Sequence, residues 1–259
     1  MHPVLFKIGS LSVYSYGAML CLAFLTAIVW ALCEAPAEKI NRDYLYDLFI
    51  IVMLLSLVGS RVAYVVLNWD LYEAGPWWKV LAFREGGLTF LGGLILAVFG
   101  GIVYCYRKKI NFLKYLDFFT PFIALGYAIT RIGCFLNGCC HGHITTLPWG
   151  MVFPAVDGFP RHPTQLYACG SALIIFILLR LLKKYRSFDG FVFVLFLLFY
   201  GVYRFIVEFF RISEPSVGFM TQAQFASLIL ILAGAALFFW KKGETKKIGK
   251  TNQKGAGEL

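Results

Sequence analysis

Four arginines, Arg61, Arg131, Arg204 and Arg211, stand inside stretches that are otherwise apolar. A cation near the middle of a bilayer costs about 2.5–3.5 kcal/mol on insertion scales, so such a residue faces a polar cavity or a partner. Four of them in one chain of 259 residues describe a cavity that receives an anion inside a membrane. The simplest anion at that depth is a phospholipid head group. The run YGVYRFIVEFFR places Tyr200, Arg204, Glu208 and Arg211 at steps of four, four and three, which is one face of a helix. Glu208 can pair with either arginine and lower the cost of burying it. An ion-pair ladder alone would explain the pattern, but two arginines against one glutamate leave a surplus cation that a bound phosphate would complete.

Arg131 lies deep in an apolar run and is followed by Gly133, Asn137, Gly138 and Gly142 (TRIGCFLNGCCHG). That much glycine predicts a helix ending near Gly138. In RHPTQLY, Pro163 fits the first turn of a helix, with His162 and Gln165 at its mouth. His162 could serve as a base or could simply cap the helix. Tyr16, before Gly17, puts a hydroxyl in the outer half of the first apolar run, and Arg61 has Gly59 and Tyr64 nearby. The segment FREGGLTFLGG, residues 83–93, fits either close helix packing or a loop whose N–H groups bind an anion. Cys134, Cys139, Cys140, His141 and His143 crowd together, but zinc fingers need paired arms at other spacings, and adjacent cysteines are poor joint ligands. The spacing therefore predicts no metal. A redox pair, or a boundary thiol pair without a role, remains.

These residues must be carried by membrane helices. The chain is 59% hydrophobic, well above the roughly 45–50% of soluble domains. Apolar runs near the roughly 20 residues needed to span lie at 11–33, 44–67, 88–106, 117–138, 164–182, 190–211 and 220–240. The prediction is an all-α polytopic membrane protein of seven helices, one domain over 1–240 with a basic, disordered tail over 241–259. No leader with a basic start and a small-residue cleavage site precedes the first run. With the N-terminus outside and the C-terminus in the cytoplasm, 16 of the 24 Lys and Arg fall in cytoplasmic segments. Outer segments then hold Lys7, Lys79, Arg84 and Arg161, and Trp69, Trp77, Trp78 and Trp149 form an outer aromatic belt. The net charge of +10 then reflects lysines facing anionic lipid and requires no nucleic acid. Seven cysteines, mostly in apolar runs, do not make a disulfide scaffold. Without an internal repeat, a transporter is disfavoured.

Tyr16-Gly17, Gly59-Ser60-Arg61, GGLTFLGG, TRIGCFLNG, RHPTQLY, YRFIVEFFR and TQAQFASL keep their order over about residues 10–240. Together they resemble the bacterial prolipoprotein diacylglyceryl transferase family. The resemblance implies seven transmembrane helices, a place in the cytoplasmic (inner) membrane, and no metal or organic cofactor. It implies transfer of the diacylglyceryl group of phosphatidylglycerol to the lipobox cysteine of a prolipoprotein. Arg131 and Arg204 match its two key arginines and would hold the phosphate, with Glu208 orienting Arg204. Tyr16, Asn137 and Gly142 match its lining, and Arg61 and Tyr200 join the lipid contacts. Three positions depart from the family's pattern. Leu91 replaces a frequent histidine, Cys134 an asparagine and Cys139 an acidic residue. The base is thus left to His162, His141 or His143, or to electrostatics alone. The alternative is a lipid-binding paralogue with another acceptor or no activity.

Overall fold

Each apolar run becomes a helix whose ends fall at polar or glycine-bearing turns. The computed structural model describes residues 1–9, 11–73, 76–82, 86–215 and 218–256. Strands β1 (Val4–Ile8) and β2 (Leu11–Tyr14) pair antiparallel around Gly9 at φ +59°. Then follow α1 (Ser15–Glu34), α2 (Arg42–Leu67), the single turn α3 (Asp70–Glu73), α4 (Phe90–Lys108) and α5 (Phe112–Asn137). Strands β3 (Met151–Val152) and β4 (Pro160–Arg161) form a second small hairpin. Helices α6 (Thr164–Leu182), α7 (Phe191–Glu208) and α8 (Gln222–Ala256) complete the chain. Among the described residues seven helices, all but α3, are long and apolar enough to cross a membrane. This is a multi-pass membrane protein.

The ends differ from expectation in physically readable ways. The first span begins at Ser15 and not at 11, because 11–14 pair with β1 and the Ser15 N–H donates to Pro3 O at 2.9 Å. The sixth stops at Glu208, where the N–H groups of Phe209, Phe210 and Arg211 each turn back three residues and tighten the chain out of the helix. The last apolar span ends at Glu244, and the helical backbone runs on to Ala256.

The chain divides into two compact units, Leu32–Phe112 and the remainder. In Leu32–Phe112, α2 packs on α4 through glycine. A Cβ at Gly59 would meet Gly92 O at 2.5 Å, and one at Gly93 would meet Ser56 O at 2.7 Å. A Cβ at Gly92 would overlap Ala63 Cβ. The glycines of 83–93 therefore serve helix packing at 92 and 93, and Phe83, Arg84 and Glu85 lie outside the described residues. Gly92→Val is expected to destabilise the protein by about 1–3 kcal/mol through overpacking. The check is its melting temperature in detergent against that of Ile95→Val, a change at an exposed position of the same helix.

In the other unit, α5, α6 and α7 meet around Ala124, Ile175, Leu179, Phe191 and Val192, with Phe238 of α8 alongside. Trp30 of α1 packs on Phe122 and Phe176. The buried carboxylate of Asp117 on α5 accepts from Gly190 N–H at 2.8 Å and Phe193 N–H at 3.0 Å, anchoring an anion at the N-terminus of α7. Arg186 Nε lies 3.3 Å from the same carboxylate. This lock fixes how α7 is rotated, and so which face its arginine presents. Gly201 lets α8 approach: a Cβ there would meet Ile231 Cγ1 at 2.8 Å.

Candidate active site

Arg131 follows Tyr127 by one turn of α5, and its guanidinium lies over the Tyr127 ring at 4.7 Å. The Tyr127 hydroxyl is 3.3 Å from that of Tyr203, and its ring is 5.6 Å from the Tyr200 ring. Arg204 follows Tyr200 by one turn of α7. The charges of both Arg131 and Arg204 reach Tyr200 and Tyr203. Two guanidinium groups from two helices therefore share one wall of three tyrosines.

Glu208 is 5% exposed and is the hub beneath Arg204. Its Oε2 accepts from Arg204 Nη1 and lies 3.8 Å from Arg211 Nε. Its Oε1 accepts from Ser213 Oγ at 2.7 Å and Thr221 Oγ1 at 3.1 Å. Thr221 and Gln224 in turn close a capping box at the start of α8. The Thr221 N–H donates to Gln224 Oε1 at 3.0 Å, and the Gln224 N–H donates to Thr221 Oγ1 at 3.2 Å. One carboxylate thus orients Arg204 and ties the 209–221 connection to it.

The C-terminus of α5 reverses the chain at Gly138, φ +76°, as the sequence leads one to expect. The Gly138 N–H donates to Phe135 O at 3.1 Å and the Cys139 N–H to Cys134 O at 3.2 Å, the paired bonds of a Schellman turn. The turn carries Cys139 and Cys140 back over Cys134, and the three sulfur atoms all lie within 4.8 Å of one another. The argument from spacing compared these residues with paired-arm zinc motifs and did not bring the turn at Gly138 into the comparison. Tyr16, on α1, lies in the field of Arg131 and of all three cysteines, and Cys140 lies in the fields of Arg211 and Arg131. Asn137 is the last residue of α5. Gly142 crosses Arg211 as an isolated bridge, and its N–H donates to His162 O at 2.9 Å. No side chain fits there: a Cβ would overlap Phe210 O and come within 2.8 Å of His162 Cβ.

His162 takes a different setting. Its Nδ1 is 3.1 Å from the Tyr167 hydroxyl, its ring packs on Phe210, and its N–H donates to His143 O. Burial, and then His143, lower its pKa, so the ring is neutral at neutral pH. Tyr167 also accepts from Trp149 Nε1 at 2.9 Å, and with Trp149, Met151, Pro163 and Leu166 it lines an open apolar groove.

The sequence profile of the family described as prolipoprotein diacylglyceryl transferase matches residues 3–240. The chain is similar to a protein of Finegoldia magna named phosphatidylglycerol–prolipoprotein diacylglyceryl transferase, 35% identical over 98% of this chain and 100% of that one. It is similar to identically named proteins of Legionella pneumophila (strain Lens), 35% identical over 93% of this chain and 98% of that one, and of Geobacter sulfurreducens, 33% identical over 92% and 94%. The chain belongs to this family.

Within this member of the transferase family, Arg131, Arg204, Glu208, Tyr200 and Tyr16 belong to one unit, and Arg61 belongs to the other. Arg61 is 3% exposed, and its guanidinium donates to four carbonyls: Val80 at 2.7 Å, Lys79 and Gly86 at 2.6 Å each, and Gly87 at 3.2 Å. These bonds tie Arg61 to the backbone of residues 79, 80, 86 and 87. It also answers the question posed by Gly86 and Gly87: their carbonyls meet a cation. Leu91 is 63% exposed on α4. Sequence reasoning missed Tyr127 and Tyr203, although Tyr127 stands four residues before Arg131 and was open to the same helical argument that paired Arg204 with Glu208.

Proposed function

We propose that this protein transfers the diacylglyceryl group of phosphatidylglycerol to the lipobox cysteine thiol of a prolipoprotein, the first step of lipoprotein maturation. It would act in the bacterial cytoplasmic membrane with its N-terminus outside. The observation that carries the reading is the shared tyrosine wall of Arg131 and Arg204, in a chain whose relatives bear that name. In the reaction the acceptor sulfur attacks the glyceryl carbon, the carbon–oxygen bond to phosphate breaks, a thioether forms and glycerol phosphate leaves. Negative charge grows on the departing phosphate, and preorganised cations in a water-poor site stabilise it. Arg131 and Arg204 do this in our reading, with Glu208 fixing the orientation of Arg204. Tyr200 closes one side of the pocket, and Tyr16, Asn137 and Gly142 border the approach of the acceptor. His162, neutral at neutral pH, can accept a proton. The basic segments facing anionic inner-leaflet lipid support the orientation.

The test is transfer from phosphatidylglycerol labelled in its acyl chains to a synthetic lipobox peptide by the purified protein in detergent micelles. Label is expected on the cysteine peptide and not on its serine counterpart. A well-folded preparation that labels neither peptide overturns the reading.

A further inference from the structure

We propose that Cys134, Cys139 and Cys140 form a three-thiolate site for one Zn²⁺ ion, whose fourth position receives the acceptor thiol. The identity of that acceptor rests on the transferase reading; the metal site rests on the fold.

The geometry comes first. The three sulfur atoms lie within 4.8 Å of one another. Zinc–sulfur bonds of about 2.3 Å in a tetrahedron place sulfurs about 3.8 Å apart, a small closure from there. The arrangement is enforced by the backbone. The Schellman turn at Gly138 returns the chain over Cys134. Gln165 Nε2 donates to Cys139 O at 2.6 Å, and Thr164 Oγ1 donates to Cys140 O at 2.5 Å. Cys140 is held at φ +64°, a conformation that costs a side-chain-bearing residue about 1–2 kcal/mol. A chain that keeps a cysteine where glycine or asparagine would be easier has a use for its sulfur. Gln165 is 1% exposed, and its Oε1 has no hydrogen-bond partner among the described residues. It leaves a buried acceptor beside this loop for a proton-bearing ligand.

The chemistry agrees. Soft thiolates select zinc over the hard cations. Three thiolates and one Zn²⁺ sum to one negative charge, and Arg131 and Arg211 are close enough to act on Cys140. Three protein ligands and one open position are the pattern of catalytic zinc, and a thiol bound to zinc is deprotonated outright. The acceptor S–H would give its proton to water as its sulfur binds zinc. Its electron pair would then form the bond to the glyceryl carbon as the carbon–oxygen bond breaks, and the neutral thioether would leave the metal. No oxidant or reductant takes part. This supplies a thiolate in a chain that has Leu91 where a histidine is frequent.

The probe is Co²⁺, added to the full-length, reduced, metal-free protein in detergent. One Co²⁺ per chain is expected, with sulfur-to-cobalt charge-transfer absorption that Zn²⁺ abolishes. The absorption should be lost in Cys134→Ser and Cys139→Ser, and should shift on adding the cysteine lipobox peptide but not the serine peptide. Chelation should lower wild-type transfer about 100-fold, with Zn²⁺ restoring it, as for loss of a proton-removing device. No thiolate absorption in the wild type, or the same absorption in Cys134→Ser, overturns the site. So does a disulfide among the three in protein purified without oxidant, if Co²⁺ also fails to bind after reduction. Undiminished transfer by chelated wild type overturns the metal and leaves the transferase reading standing. A thiol-specific cobalt shift without any transfer from phosphatidylglycerol upholds the metal site and removes the transferase reading.

Discussion

Arg204→Gln is expected to lower kcat/KM for diacylglyceryl transfer by about 10²–10³-fold, the usual cost of removing one preorganised donor from a developing anion. Glutamine keeps a donor near Glu208, so the change tests the charge more than the packing. Arg131→Gln should cost as much, because its guanidinium faces the same tyrosines from the other helix. The double variant should be little worse than either single one, since groups that act on one phosphate as a unit are not additive. Arg204→Lys should not restore the rate: an ammonium cannot reproduce the planar fork that a phosphate and Glu208 can share. Initial rates with labelled lipid, together with melting temperatures in detergent, check all four variants. Normal turnover in the two single glutamine variants would remove these residues from the site.

Glu208→Ala should be the most damaging substitution for the fold. The carboxylate is buried and answers Arg204, Arg211, Ser213 and Thr221. Deleting one partner of a buried charge network costs about 3–5 kcal/mol, because the remaining charges are left uncompensated. Glu208→Gln keeps an oxygen for the two hydroxyls but loses the ionic partner, so it should fold better than alanine and still transfer slowly. A melting temperature ordered wild type, Gln, Ala is the expected result. An alanine variant as stable as wild type would show that the hub carries no structural load.

Much of this was readable beforehand, and the failures share a cause. Arg204 and Glu208 declared themselves through a separation of four on an apolar helix, where sequence distance is spatial distance. The spans followed because lipid leaves few alternatives to a helix. The partners of Glu208 across the turn, Ser213 and Thr221, were hidden because a loop severs that link. The approach of the three cysteine sulfurs was hidden for the same reason, although Gly138, whose turn makes it, was in view. The start of α1 was drawn four residues early because VLFKIGSLSVY was read only for apolarity, when its Gly-Ser centre between alternating residues describes a hairpin. Arg61 resembles the other embedded arginines in composition. Only the fold reveals whether a buried cation answers to a ligand or to peptide carbonyls.

That last distinction bears on how the protein can drift. Four acceptors around Arg61 are main-chain atoms of residues 79, 80, 86 and 87, present whatever side chains those positions carry. Lys79 and Val80 are therefore interchangeable with many residues, whereas position 61 is not. No other side chain offers five N–H groups fanned in one plane. Saturation mutagenesis should find tolerance along the loop and near-total intolerance at its single clasp.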